Sequence, residues 1–249
     1  MSTYVISDLH GQYNIFKKLL DILSFGENDY MYVLGDAIDR GKDGIKILQE
    51  IMDAPNMDLL IGNHEYMMLN SVATNGCQGL WGESQDIWIY NNGGDITFEQ
   101  YCKLSDKERK ALLTWLNTRK LTELKTINGM TFCLTHSFFN DDLIGKRYEE
   151  CEPDDVWSVV WKSPYREGRT YIPISRYAEK DWTFIIGHVP VQKIAGTEEE
   201  LKAHYDKNVI LIDGGCAYHM SGRISDDKHG IICLKLEDLT ETIVAFAEK

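Results

Sequence analysis

Three short polar clusters constrain this chain more than any other feature, because each follows a run of residues typical of a β-strand. They are Asp8-Leu9-His10-Gly11, Gly35-Asp36-Ala37-Ile38-Asp39-Arg40-Gly41 and Gly62-Asn63-His64-Glu65. In open α/β sheets, ligands bind beyond the carboxyl ends of the strands. We therefore expect the three clusters to converge on one site.

The segments around these clusters alternate between strand and helix patterns. Residues 4–7, 30–34 and 58–61 are predicted strands, while 12–23 and 44–52 carry apolar residues on one helical face. This alternation is typical of βαβ units around a parallel sheet. The chain is therefore predicted to have an α/β fold.

Residues from about 66 to 120 carry aromatic side chains at helical spacing, which predicts a helical insertion. Its last helix is marked by a capping box at Ser105 and Glu108. An Asn-Gly turn then joins predicted strands 122–127 and 130–135 into a hairpin. Further strands are predicted at 184–186, 209–212, 231–236 and 242–246, with loops over 140–180 and a helix-like, surface segment over 198–206 that holds His204. No linker divides the chain, which predicts a single domain over 1–249.

Two later predicted strands end in histidine, at His136 and His188. Aspartate, asparagine and histidine side chains bind divalent Mn, Fe or Zn, and a carboxylate such as that of Asp36 can bridge two ions. The pattern gives six candidate metal ligands from five segments: Asp8, His10, Asp36, Asn63, His136 and His188.

The three clusters together resemble the phosphoprotein phosphatase branch of the calcineurin-like metallophosphoesterases. The resemblance is close over the first 70 residues and continues thinly through His136, Gly187-His188 and residues 213–218. It implies a β-sandwich flanked by helices (α/β/β/α) with two divalent ions, Mn²⁺ first and Fe, Zn or Ni as alternatives. By the same resemblance, Asp8, His10 and Asp36 hold one ion, and Asp36, Asn63, His136 and His188 hold the other.

The resemblance also implies roles for residues that hold no ion. His64 and Asp39 form an acid pair, and Arg40 grips the phosphate, as its planar guanidinium is suited to do. A second phosphate-binding arginine is expected after Trp161, where Arg166 is favoured over Arg169. Tyr218 is a candidate to line the site. Two positions depart from the family pattern: Ile61 precedes the third cluster, and Ser137-Phe138-Phe139 follows His136.

These residues favour hydrolysis of a phosphomonoester by metal-bound hydroxide, with His64 as the general acid. A carboxylate partner favours imidazolium, so Asp39 is expected to raise the pKa of His64. Of the other histidines, His229 is expected to be structural.

The sequence favours a serine/threonine protein phosphatase. A dinucleoside polyphosphate hydrolase with the same chemistry is the first alternative, and a binding module without catalysis is a remote one. A nuclease is disfavoured, because 26 Lys and Arg against 39 Asp and Glu give a net charge of −13. The expected partner is thus a phosphoprotein or small phosphate ester, not nucleic acid.

The composition and hydropathy of the chain indicate where it is expected to reside and in what state its cysteines are. The apolar runs are too short to span a membrane, and the N-terminus lacks a signal-peptide pattern, so a cytoplasmic location is expected. Six scattered cysteines without Cys-x-x-Cys spacing are expected to be free thiols. The oligomeric state stays open.

Overall fold

Two five-stranded sheets form the body of the molecule in the part described by the computed structural model, residues 1–73, 83–194, 200–219 and 221–247. The first sheet has the order β10-β9-β1-β2-β3 and the second β4-β5-β6-β8-β7. In chain order the strands are β1 Thr3–Ile6, β2 Tyr30–Val33, β3 Met57–Leu59, β4 Thr122–Ile127, β5 Met130–Thr135, β6 Thr183–Ile186, β7 His204–Asp206, β8 Val209–Leu211, β9 Gly230–Lys235 and β10 Thr240–Ala245.

The first sheet is built from the predicted βαβ units. Strands β1, β2 and β3 are parallel, and helices α1 (Tyr13–Leu23) and α2 (Gly44–Asp53) connect them. The antiparallel hairpin of β9 and β10 completes the sheet beside β1. Because successive side chains point to opposite faces, Ile6 and Val33 pack with the helices while Val5 and Tyr32 face the second sheet.

The second sheet begins with the predicted hairpin of β4 and β5, which turns at Asn128 and Gly129. Strands β5, β6 and β8 are parallel, and β7 lies antiparallel at the edge. The helix-like prediction over 198–206 was wrong for the described residues from 200 onward. Residues 204–206 form strand β7 instead, because His204, Tyr205 and Asp206 pair with β8.

A helical segment separates β3 from β4, as predicted. It comprises α3 Asn63–Leu69, α4 Glu83–Asp86, a π-helical turn Ile87–Asn91, α5 Asp95–Lys103 and α6 Asp106–Asn117. The Ser105 hydroxyl accepts from the Glu108 amide at 3.3 Å, and the Glu108 carboxylate accepts from the Ser105 amide at 2.7 Å, which confirms the capping box. Trp81 and Cys77 lie outside the described residues.

The stretch predicted as loops contains one helix, α7 (Pro153–Trp161). Proline in the first turn and the buried Val156, Val159 and Val160 on one face explain it. The acidic residues before and within this segment obscured that pattern. Helix α7 ends at Trp161, whose ring contacts His188 edge-on.

Two apolar cores hold these layers together. One lies between the first sheet and its helices, and the other lies between the two sheets, where Leu34 and Leu234 meet Leu134 and Ile185. The arrangement of two mixed sheets flanked by helices confirms the predicted fold class. The described cysteines are free thiols: Cys102, Cys133, Cys151, Cys216 and Cys233. Among the described helices, none is long and apolar enough to cross a bilayer.

Candidate metal centre and active site

The six candidate metal ligands come together at one edge of the two sheets. Asp8 and His10 follow β1, Asp36 follows β2, and Asn63 opens α3 after β3. His136 and His188 follow β5 and β6 of the second sheet. All six side chains are buried.

Four of these side chains surround one point. The Asn63 Oδ1 atom lies 2.9 Å from His136 Nε2 and 2.8 Å from His188 Nδ1, and the two histidine nitrogens are 3.2 Å apart. Asp36 Oδ1 lies 3.6 Å from His136 Nε2. Atoms that bind one ion at 2.0–2.2 Å in a tetrahedron lie about 3.4 Å from one another. The set therefore fits a single divalent ion.

Backbone carbonyls orient two of the histidine rings toward the site. His136 Nδ1 faces the carbonyl of Leu34 at 2.7 Å, and His10 Nδ1 faces that of Ile38 at 3.1 Å. A carbonyl only accepts, so each Nδ1 carries the proton and each Nε2 keeps a free electron pair. This outer hydrogen bond is the usual support of a metal-binding histidine.

Asp36 belongs to both groups of candidate ligands, because one of its carboxylate oxygens faces His10 and the other faces His136. His10 Nε2 lies 3.8 Å from Asp36 Oδ2, while the other oxygen of that carboxylate faces His136. Asp8 Oδ2 accepts from the Ser7 hydroxyl and from the His188 amide, the latter at 2.9 Å. Its Oδ1 atom is buried without a hydrogen-bond partner among the described residues. An unpaired buried carboxylate oxygen is costly, and a cation there would satisfy it.

A further buried carboxylate, Asp213, lines the same cleft. Burial raises its pKa to about 6, and burial together with Asp213 and Asp36 raises the pKa of Asp8. Burial lowers the pKa of His136 to about 4. Neutral imidazole nitrogens bind divalent ions, and bound ions offset the repulsion between closely spaced carboxylates. The residues therefore fit two such ions. Asp213 was not predicted as a site residue, although it follows strand β8 as the ligands follow theirs.

The backbone at this edge is strained. Among the described residues ten non-glycine residues have positive φ, and six of them belong to the predicted site: Asp8, His10, Asp36, Asp39, Arg40 and His188. Such conformations cost about 1–3 kcal/mol each and persist where the surroundings fix them. Close packing of the loops fixes them here, since a Cβ added at Gly187 would lie 2.2 Å from Asp8 Oδ2.

Glu65 ties the clusters together, although the sequence suggested no role for it. Its carboxylate accepts backbone N–H groups from Asp36 and Ala37, each at 2.8 Å, and from Gly62 at 3.1 Å. These bonds join the start of α3 to the loop after β2. Burial raises the pKa of Glu65 to about 7.

The predicted acid pair lies beside the candidate ligands. His64 Nδ1 is 2.5 Å from Asp39 Oδ2, and its Nε2 atom faces Asp36 Oδ2 at 3.8 Å. Two residues of the helical segment support Asp39. The Trp88 indole donates to Asp39 Oδ2 at 2.7 Å, and the Asp39 amide donates to the Thr97 hydroxyl at 3.0 Å.

The expected rise in the pKa of His64 was wrong. Burial, together with the Arg40 guanidinium and His136, lowers this pKa well below its usual value. Burial also raises the pKa of Asp39 to about 7. In the fully buried pair, the cost of desolvating an imidazolium outweighs the attraction of the carboxylate.

Arg40 reaches both parts of the site. Its Nη1 atom lies 3.0 Å from His10 Nε2, and its Nη2 atom lies 3.2 Å from His64 Nε2. The free electron pair of His10 Nε2 cannot serve an ion and a guanidinium N–H together. Metal binding at His10 therefore requires Arg40 to release that nitrogen, which frees N–H groups for phosphate oxygens.

Two more cations and an aromatic ring line the cleft. Arg166 Nη1 lies 3.1 Å from His188 Nε2 and lines the cleft, whereas Arg169 lies in a 3₁₀ turn and is not among the cleft residues. The structure thus brings Arg166 to the site, along with Tyr218. Lys193 was not predicted, yet it lines the same cleft, and partial burial and Arg166 lower its pKa. His204, in edge strand β7, contacts Tyr165 and is not among the residues that line the cleft.

Comparison with known proteins agrees with this geometry. A family model described as calcineurin-like phosphoesterase matches residues 1–222. Serine/threonine-protein phosphatase 2 of Salmonella typhimurium is 28% identical over 193 residues, which cover 76% of this chain and 79% of that relative. A symmetrical bis(5'-nucleosyl)-tetraphosphatase of Nitrosomonas europaea is 29% identical over 284 residues, covering 92% and 97%.

Other relatives with the tetraphosphatase name match over shorter parts, 26% and 40% of their own length. Among solved structures, a candidate diadenosine tetraphosphatase superimposes with a TM-score of 0.59 at 13% identity, covering 100% of this chain and 95% of that one. At that identity the likeness concerns the fold alone.

Proposed function

The chain belongs to the calcineurin-like phosphoesterase family and is a phosphoester hydrolase; we propose that it acts as a serine/threonine protein phosphatase with two divalent ions, Mn²⁺ first. The observation that carries this proposal is the acid pair of His64 and Asp39 directly beside the candidate ligands. The alkoxide of a serine or threonine is a poor leaving group. An enzyme that releases it benefits most from a positioned general acid.

When bound, two divalent ions supply Lewis acidity and a nucleophile at neutral pH. Asp8, His10 and Asp36 would hold one of them, and Asp36, Asn63, His136 and His188 the other. Arg40 and Arg166 orient the phosphate through their N–H groups. Tyr218 borders the same cleft and contributes to the wall against which the substrate lies.

His64 has the position of the proton donor, since its Nε2 atom faces the cleft while Nδ1 is held by Asp39. In the structure, Arg40 contacts that Nε2 atom and opposes its protonation. A phosphate dianion that engages Arg40 offsets this positive charge and draws the guanidinium from the ring. Substrate binding thus raises the proton affinity of His64 at the moment when a proton is needed.

A dinucleoside polyphosphate is the second candidate substrate, and Lys193 favours it. Arg40, Arg166 and Lys193 place three cations around one cleft. A phosphomonoester carries about two negative charges, whereas a bridging tetraphosphate carries about four and can use all three contacts. The Nitrosomonas relative named for such a substrate aligns over nearly its whole length.

Steady-state kinetics with Mn²⁺ separate the two candidates. The substrates are a phosphoserine peptide, a phosphotyrosine peptide, diadenosine tetraphosphate and an aryl phosphate. The highest kcat/KM on the phosphoserine peptide supports the proposal, while the highest value on diadenosine tetraphosphate overturns it in favour of the second candidate.

A lysine variant sharpens this experiment. Lys193→Met removes one charge at the cleft and keeps a long side chain. For a polyphosphate hydrolase, KM for diadenosine tetraphosphate should rise about 10–100-fold, because one charged contact is worth about 1.5–3 kcal/mol. For a protein phosphatase, KM for the phosphopeptide should change less than 3-fold. Lys110→Met, at an exposed position of α6, is the matched control.

A further inference from the structure

A second cluster of possible metal ligands lies in the connection between β8 and β9. It consists of His219, Asp226 and His229. None of them belongs to the catalytic cleft described above, although His219 directly follows Tyr218. Backbone hydrogen bonds anchor this connection to the end of β10: the Phe246 amide donates to the His229 carbonyl, and the Ala247 amide donates to the Asp226 carbonyl at 3.0 Å.

His229 has an unusual set of neighbours for a fully buried ring. Its Nδ1 atom faces the carbonyl of Ser225 at 2.9 Å, so the proton of the neutral ring lies on Nδ1. Its Nε2 atom lies 3.3 Å from Asp226 Oδ1. No atom among the described residues makes a hydrogen bond to that Nε2 atom. This buried nitrogen thus keeps a free electron pair close to a carboxylate oxygen, although not aimed directly at it, and has no donor to satisfy it.

His219 approaches the same oxygen from another direction. Its ring stacks on Phe246 with 3.8 Å between centroids and 9° between planes, which fixes the ring orientation. Its Nδ1 atom lies 3.2 Å from Asp226 Oδ1, within hydrogen-bond distance, and a bound ion would take the place of the proton between them. Two ring nitrogens and a carboxylate oxygen therefore converge within 4.8 Å of one another.

The distances agree with a shared ion. Atoms bound to one ion at 2.0–2.2 Å in a tetrahedron lie about 3.4 Å apart, and neither lies on the electron-pair axis of the other. This explains how Nε2 of His229 can approach a carboxylate oxygen closely and still lack a hydrogen bond. If both ring nitrogens of His229 carried a proton, Nε2 could donate a hydrogen bond to Asp226. That would place a charged imidazolium at a fully buried position, which is costly.

We propose that His219 Nδ1, Asp226 Oδ1 and His229 Nε2 bind a third divalent ion, with Zn²⁺ the best match to two imidazoles and one carboxylate. The Asp226 side chain is half-exposed, so an ion and its waters can reach the site from solvent. The ion holds three points of the connection after Tyr218 together, beside the end of β10 on which His219 stacks. Its role is structural and goes beyond the proposed phosphatase activity.

The test is metal content. The full chain is stripped with a chelator, reloaded with excess Zn²⁺ and freed of loose ions by gel filtration, and bound zinc is measured by plasma mass spectrometry. We expect three ions per wild-type chain, two in Asp226→Asn and two in His219→Gln. His204→Gln removes a histidine elsewhere and should keep three. Asp226→Asn is half-exposed and nearly isosteric, so it should fold as the wild type does.

Two wild-type ions that both variants keep would overturn the proposal, because the cluster would then hold none. Three ions in wild type and in both variants would also overturn it, because the extra ion would then bind elsewhere. A thermal melt gives an independent reading. Zn²⁺ should raise the Tm of wild type by a few degrees more than that of Asp226→Asn, because an ion that binds only the folded state stabilises it. Equal shifts would contradict the assignment.

Discussion

The strand-end segments, counted to include the first turn of α3, and the helical residues 83–117 both support the acid pair, but they do so differently. The strand-end segments supply every candidate metal ligand together with Asp39 and His64, with Asn63 and His64 in the first turn of α3, and these residues stand in short motifs. The helical segment supplies the hydrogen bonds of Trp88 and Thr97 to Asp39, with no motif of its own. The difference separates residues that perform chemistry from residues that hold a catalytic group in its working position.

The largest effect should come from the strand-end segments. Asp36→Asn removes one charge from the carboxylate that faces both clusters, so we expect most bound metal to be lost and kcat/KM to fall about 10³-fold or more. Plasma mass spectrometry and phosphatase assays check this. Full metal occupancy in the variant would show that Asp36 does not bridge.

Proton donation should matter next. His64→Asn should slow hydrolysis of phosphoserine by about 10²–10⁴-fold, since a poor leaving group needs the acid, and should slow an aryl phosphate with an acidic phenol much less. Both metals should remain. Equal losses for the two leaving groups would assign His64 to phosphate binding instead.

Arg40 links the two regions, because its amide donates to the Gly93 carbonyl of the helical segment at 3.0 Å. Arg40→Ala should raise KM for phosphate esters about 10–100-fold, the worth of a charged hydrogen-bonded contact, and weaken inhibition by free phosphate. Metal content should not fall. Unchanged phosphate inhibition would make Arg40 a structural link between the regions.

The smallest effect should come from the helical segment. Trp88→Phe keeps a buried aromatic ring and removes the N–H donor to Asp39, which should reduce kcat on phosphoserine about 5–20-fold. Loss of that donor destabilises the ionised carboxylate and raises the pKa of Asp39 further above about 7. If ionised Asp39 is needed to hold His64, the acidic limb of the pH–rate profile moves to higher pH.

Trp115→Phe is the matched control, a tryptophan of α6 that contacts Arg119 instead of the acid pair. It should leave the pH profile unchanged. If Trp88→Phe also leaves the profile unchanged while lowering Tm, the helical segment serves packing alone.

The features that could be predicted from the sequence are those that depend on residues close together in the chain. Gly35-Asp36 and Asp39-Arg40 lie within seven residues, and their position after a strand fixes their place at the sheet edge. The Asn128-Gly129 hairpin was predicted with its strand bounds because the turn chemistry is local.

The rest depends on contacts between residues distant in sequence. Trp88 meets Asp39 only because Gly94 leaves room for the indole, as a Cβ there would lie 2.4 Å from its Nε1 atom. The pKa of His64 was predicted in the wrong direction because a sequence shows the charged partner and does not show burial. Lys193 had no signal beyond its position after a strand of the second sheet, and Asp213 stood in the resemblance over 213–218 without an assigned role.

The left-handed backbone at six site residues has a consequence for the free energy of the folded chain. Glycine tolerates positive φ, so replacing one of these aspartates, histidines or arginines with glycine relieves strain that the original side chain imposes. The conformational cost of the site is thus carried by the backbone, and the packing of the rest of the fold must offset it.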